Sequence, residues 1–160
     1  MSTIIDLYIV EYPRLIDILQ SFISKIQSDP QNQITLVALF GSTARLMAGQ
    51  SSDADLLVLT TQSESEAVLD MVQMLRASED EISDMSNIWH FIPIIGKADA
   101  SDLDPDFLDG VGHDGVLVYH RDGSPVPPAL VHLHPFADWM QDVEALMRAL
   151  HVAADTLSAS

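Results

Sequence analysis

Residues 39–60 read LFGSTARLMAGQSSDADLLVLT, and the interpretation of the whole chain turns on them. An apolar strand runs into Gly41-Ser42, a short polar crossing follows, and Ser52-Asp53-Ala54-Asp55 opens a second apolar run. In an extended segment alternate side chains point the same way, so Asp53 and Asp55 share one face while Ala54 and Leu56 take the other. Two adjacent carboxylates repel each other. The arrangement is stable mainly with a cation between them, and hard, oxygen-seeking divalent ions, Mg2+ or Mn2+, are the usual occupants. Gly41 lets the backbone turn sharply and present N–H groups to an anion, as phosphate-cradling loops do. Ser42 adds a hydroxyl donor, and Arg45 a planar cation suited to phosphate oxygens. The plainer readings are a helix cap and a surface charge for the two aspartates, and a solubilising role for Arg45. An anion cradle and a carboxylate pair on consecutive strands together suggest a metal-nucleotide site.

Upstream, Leu15, Leu19, Phe22, Ile23 and Ile26 recur at helical spacing behind Pro13, which predicts a helix over 13–27 that ends in the turn cluster 28–32. Residues 34–40 are the first predicted strand, and 44–47 have room for one helical turn with its N–H groups toward phosphate. After the second strand, Ser63 and Ser65 are N-cap candidates for a helix with an apolar stripe of Val68, Leu69, Val72 and Leu75. That helix is expected to end near Arg76, with an acidic loop over 78–86. Residues 87–95, NIWHFIPII, read as a third strand in which Pro93 marks an edge, a bulge or an end. A helix over 103–112 capped near Ser101 or Asp102, a strand over 116–119 and a Gly/Pro turn over 121–128 follow. The class is therefore α/β (α+β), a small mixed sheet flanked by helices.

The last segment predicts a helix over 135–157. Phe136, Met140, Val143, Met147, Leu150, Ala154 and Leu157 alternate steps of four and three, a heptad seam that Trp139, Leu146 and Ala153 widen. Such a face either caps the sheet or lies against another chain, a homodimer partner included.

With 160 residues the chain is read as one domain, 1–160, with a core over 13–122 and the terminal helix beside it. Its 24 acidic and 7 basic residues give a net charge of −17, which repels nucleic acid and anionic membrane. The absence of cysteine excludes disulfides and thiolate metal sites. The N-terminal residues lack the basic head of a signal peptide, and no apolar run approaches the roughly 20 residues needed to span a bilayer. A soluble, cytoplasmic protein is expected. His132 and His134 face together only in an extended segment, and two imidazoles without a third ligand do not define a zinc site. His113 and His120 read as surface groups, and Glu79-Asp80-Glu81 as a solvated face.

Gly41-Ser42, Ala44-Arg45 and Ser52-Asp53-x-Asp55 before an apolar run resemble the signature of the polymerase-beta-type nucleotidyltransferase superfamily, specifically its minimal (MNT) branch. Members of that branch are often encoded beside HEPN-domain partners as toxin-antitoxin pairs. DGVLVY at 114–119 resembles a late strand of such proteins, and the resemblance covers roughly residues 34–119. It implies metal-dependent transfer of a nucleoside monophosphate from a nucleoside triphosphate to a hydroxyl. Gly41, Ser42, Arg45 and Ser52 would bind the nucleotide, and Asp53 and Asp55 the metal. A protein acceptor suits a chain without the larger helical second domain of small-molecule relatives.

Two departures stand out. Leu46 occupies a position where the family tends to have glycine. No Asp or Glu lies in 87–95, where the family carries a third carboxylate, and His90 stands in that region instead. Asp84 is the nearest acid but comes too early in the chain. His90 is either a substitute metal ligand or proton-transfer group, or a structural residue in a weakened site. The first alternative implies an enzyme with catalytic Asp53, Asp55 and His90. The second implies a catalytically degenerate binding protein that restrains a HEPN-like partner.

Overall fold

ITLVALF is apolar at nearly every position, so a strand built from it must be covered on both faces. The computed structural model describes residues 12–47, 53–62, 64–82 and 90–159. In chain order these form α1 (Tyr12–Ser28), β1 (Ile34–Phe40), a helical turn α2 (Gly41–Ala44), β2 (Asp53–Thr60), α3 (Glu64–Ile82) and β3 (His90–Lys97). There follow α4 (Pro105–Asp114), β4 (Val116–His120), a 3-10 turn (Pro128–Leu130), β5 (His134–Pro135) and α5 (Phe136–Ala159). The strands make one mixed sheet in the order β3-β2-β1-β4-β5. β1 is antiparallel to β2 and β4, while β3 runs parallel to β2 and β5 parallel to β4. Among the described residues no helix is long and apolar enough to cross a membrane.

Period-two alternation divides the core between the two faces. Val37, Leu39, Leu56, Val58, Val116 and Val118 pack against Leu15, Leu19 and Phe22 of α1, Met71 and Leu75 of α3, and Trp139 and Val143 of α5. Leu36, Ala38, Leu57 and Leu59 pack on the other face against Leu108 and Val111 of α4 and against Leu130 and Leu133. Each fully buried side chain of this size contributes about 1.5–3 kcal/mol, so both helical layers are needed to hold the central strands.

Several boundaries differ from the sequence reading. α3 does not stop at Arg76 but continues through Ile82, so residues 78–82 are helix rather than acidic loop. Ser78 is fully buried and its hydroxyl donates to the Met74 carbonyl at 2.9 Å, which removes the reason for a serine to leave a helix. Of the expected stripe, Leu75 is buried and Leu69 is 58% exposed, and Met71, outside the stripe, is buried beside Leu75; the side chains of Val68 and Val72 lie outside the described ones. α4 begins at Pro105, with Asp104 as its cap, accepting from the Asp106 N–H at 2.8 Å. Asp102, one of the expected caps, instead accepts the Lys97 N–H at 2.9 Å and closes the turn after β3. Pro93 sits on an edge strand, where its missing N–H breaks no inner ladder. Residues 83–86 and 87–89, parts of the expected loop and third strand, lie outside the described residues.

Half of the expected seam on α5 serves the core. Trp139 and Val143 are buried, and Phe136, Met140 and Met147 pack partly against them. Farther along, Leu150 is half-buried and Ala153 exposed, and Val152 is 66% exposed. The side chains of Ala154 and Leu157 lie outside the described ones.

Candidate functional site

Strand pairing sets the geometry of the signature residues. Phe40, the last residue of β1, pairs with Asp55 of β2, so the reversal at Gly41 begins beside that carboxylate. Gly41 has φ +80°, and a Cβ built on it would lie 2.6 Å from Asp55 Oδ2. Glycine alone adopts this left-handed backbone at little cost while leaving space for the carboxylate oxygen. β2 alternates as its sequence implies: Ala54, Leu56 and Val58 are buried on the α1–α3–α5 side. Leu57 and Leu59, on the face of Asp53 and Asp55, join the α4 side. Burial pushes the Asp55 carboxyl above the ordinary 3.8, and the Asp53 carboxylate pushes it in the same direction. The pair is therefore short of positive charge.

The turn after Gly41 is too short to satisfy its own carbonyls, and tertiary donors complete it. Thr43 Oγ1 donates to the Asp53 carbonyl at 2.8 Å, which ties the turn to the start of β2. The Tyr12 hydroxyl donates to the Thr43 carbonyl at 3.3 Å, and Trp139 Nε1 to the Ala44 carbonyl at 3.0 Å. Leu46 has φ +59°, so the position where the family tends to have glycine keeps a glycine-type backbone although it carries a leucine. That conformation costs a leucine about 1–2 kcal/mol, and the side chain packs partly against the core.

The remaining described candidates are spread across several elements of the sheet, from β3 at one edge to β5 at the other. Ser42 is half-buried in the turn, and Arg45 Nη1 lies 3.6 Å from Asp114 Oδ2 at the end of α4. Ser52 and Asp84 lie outside the described residues. The backbone of His90 is in register with Asp53, and Ile92, opposite Asp55, is 43% exposed. His134 pairs with Val116 on β5, three strands from β2, a separation of about 14 Å at the usual strand spacing. Its ring instead meets Asp142, with Nε2 at 3.0 Å from Oδ2. His132 is exposed in the preceding turn, His113 is exposed beside Asp114, and a ring nitrogen of His120 lies 2.8 Å from the Ser124 carbonyl oxygen.

Tyr12, Thr43, Trp139 and Asp114 were not picked out as site residues from sequence. Thr43 had a local signal, as the third residue of Gly-Ser-Thr, and Asp114 opens DGVLVY. Tyr12 and Trp139 reach the turn from 31 and 95 residues away and carried none.

Asp53 and Asp55 fit a hard divalent ion. They offer oxygen donors on one face, with one oxygen seated where a Cβ would otherwise stand. Among the described residues no group of three or more His, Asp or Glu side chains forms a ready cage. A Mg2+ ion held there would take its other ligands from outside these two side chains, since Mg2+ sites are commonly built on one or two carboxylates.

A family model described as "Polymerase beta, Nucleotidyltransferase" matches residues 22–123. The chain belongs to that family. The matched span runs from α1 to just past β4, so this nucleotidyltransferase-family chain carries the Gly-Ser turn and both aspartates inside it. Among solved structures it is similar to a spectinomycin adenyltransferase from Enterococcus faecialis with ATP and spectinomycin, at 13% identity and TM-score 0.50, over 82% of this chain and 63% of that one. It is also similar to a toxin-antitoxin with AMP-PNP, at 16% identity and TM-score 0.40, over 94% and 91% of the two chains. At such identities the adenyltransferase likeness is one of fold. No curated protein matches the chain.

Proposed function

We propose that this chain binds a nucleoside triphosphate with Mg2+ or Mn2+ and transfers its nucleoside monophosphate to a hydroxyl, on a protein partner. The observation that carries the reading is the seating of Asp55 against Gly41, which supports treating the Gly-Ser turn and the carboxylate pair as parts of one site. Asp53 and Asp55 would hold the divalent ion, which supplies charge neutralisation at the phosphates when bound. N–H groups of the Gly41 turn and the Ser42 hydroxyl would bind the triphosphate, and Arg45 would neutralise its outer oxygens. In the transfer, the acceptor oxygen bonds to the α-phosphorus as the bond from that phosphorus to the bridging oxygen breaks, and pyrophosphate leaves. The hydroxyl proton passes to His90 or to solvent. The protein supplies alignment, with Thr43, Tyr12 and Trp139 fixing the turn.

A second reading is favoured by one observation: the residue in register with Asp53 is a histidine rather than an acid. On that reading the chain binds nucleotide and restrains a HEPN-like partner without chemistry. Calorimetry with AMP-PNP, with and without Mg2+, tests the site. Metal-dependent binding that is lost in the Asp53→Asn/Asp55→Asn double variant is expected, and equal affinity with and without metal would overturn it. Transfer of α-labelled nucleotide to a co-expressed partner then separates the two readings.

A further inference from the structure

Asp114 is in an electrostatically adverse place. It is the last residue of α4, where the helix macrodipole leaves partial negative charge and a carboxylate is disfavoured. Helix stability therefore does not account for it. Its carboxylate faces Arg45, with Nη1 at 3.6 Å from Oδ2, and exposed His113, with Nε2 at 3.9 Å from Oδ1. Arg45 and Asp114 share the wall of an open cleft of about 460 Å³ beside the Gly-Ser turn.

A second anionic group lies beside the turn that carries Arg45. The Arg45 backbone N–H donates to the Gly41 carbonyl, and Gly41 lies against the Asp55 carboxylate. Four residues of helical rise amount to about 6 Å, a distance that an arginine side chain spans. Asp53 and Asp55 put two carboxylates on one face of β2, an arrangement that attracts a neighbouring guanidinium. The guanidinium nonetheless pairs with Asp114, on the β4 side of the turn.

We propose that Asp114 is a positioning residue: it holds Arg45 off the Asp53–Asp55 pair, so that the carboxylates stay open to a divalent cation and Arg45 stays beside the turn for phosphate. This rests on the proposed metal-nucleotide reading of the site. The pair is exposed and its contact long, so Arg45 is held weakly enough to exchange to a phosphate when one arrives. The guanidinium also has five donors and keeps an edge free for the incoming anion.

The test is Mn2+ binding, followed by electron paramagnetic resonance on the full chain without nucleotide at low salt. The parent, Asp114→Asn, Arg45→Gln, the Arg45→Gln/Asp114→Asn double variant and Asp114→Glu are compared. Asp114→Asn is expected to bind Mn2+ about threefold to fivefold more weakly, the range an exposed ion pair supplies. The double variant should match Arg45→Gln, because the competitor is gone, and Asp114→Glu should bind like the parent. Thermal melts should show Asp114→Asn no less stable than the parent, since it removes a charge that opposes the helix dipole. An Asp114→Asn protein with parental Mn2+ affinity overturns the proposal. So does a double variant as weak as Asp114→Asn, which would mean only a lost surface charge or a distorted α4. A parent that binds no Mn2+ overturns the metal-site reading itself, and this inference with it.

Discussion

Gly41→Ala tests the centre of the site with a single methyl group. Gly41 sits at φ +80°, and the added Cβ would meet Asp55 Oδ2 at 2.6 Å. The left-handed backbone alone costs an alanine about 1–2 kcal/mol. For a chain of this size that lowers the melting temperature by about 2–8 °C. The contact is with the far end of a side chain, which can rotate away, so the clash adds little to the stability loss and acts on function instead. A displaced Asp55 can no longer present its oxygen beside Asp53, and Mn2+ affinity should fall by about tenfold or more, as when a partner that orients a ligand is lost. Two other glycines separate the effects. Gly123 has φ +83° with nothing within 4 Å of an added Cβ, so Gly123→Ala carries the backbone cost without the contact. Gly110, inside α4, also has open space but no positive φ, and Gly110→Ala should stabilise by about 0.5–1 kcal/mol. Differential scanning fluorimetry and Mn2+ titration on all three variants complete the comparison. A folded Gly41→Ala protein with parental Mn2+ affinity would refute the proposed interdependence of Gly41 and Asp55.

The raised Asp55 carboxyl favours the folded state fully below the ordinary value of 3.8, and that contribution is lost as pH rises through the higher folded value. Asp55→Asn should therefore melt above the parent at pH 7 without metal, with the advantage gone below about pH 3.8; an equal gain at both pH values would count against the assignment. Trp139→Phe keeps an aromatic ring near Tyr12 and Phe136 but removes the donor to the buried Ala44 carbonyl, so urea unfolding should show a loss of about 1–3 kcal/mol, with weaker AMP-PNP binding. An unchanged unfolding midpoint would show that the bond does not anchor the turn. His90→Asp should retain or raise transfer of labelled nucleotide and His90→Ala should abolish it; activity in the aspartate variant that the parent lacks would favour the degenerate binder. Val152→Glu, at an exposed position of α5, should leave stability within about 0.5 kcal/mol of the parent, and a marked drop by thermal melting would place the outer half of that helix in the core.

Local residues carried the turn and the two aspartates because each constraint there is short in range. A strand alternates every two residues, so Asp53 and Asp55 had to share a face opposite Ala54 and Leu56. The apolar run of β1 likewise implied a strand covered on both sides. The weaker readings came where tertiary contacts decide. Ser78 stays in α3 because it is buried and bonds back along its own helix. Asp102 is taken by the Lys97 N–H, which moves the start of α4 to Pro105. Strand order is also a property of the assembled sheet: it sets His134 three strands from the aspartates and the backbone of His90 beside Asp53. Tyr12, Trp139 and Asp114 reach the Gly-Ser turn only through the folded chain, because a hydrogen bond or an ion pair to a distant segment leaves no periodic mark in either stretch of sequence. The sequence by itself determined that Asp53 and Asp55 share one face of a strand a short way after Gly41-Ser42; only the tertiary structure decided that Gly41 lies against Asp55 and that Arg45 pairs with Asp114, since both depend on how separate elements pack.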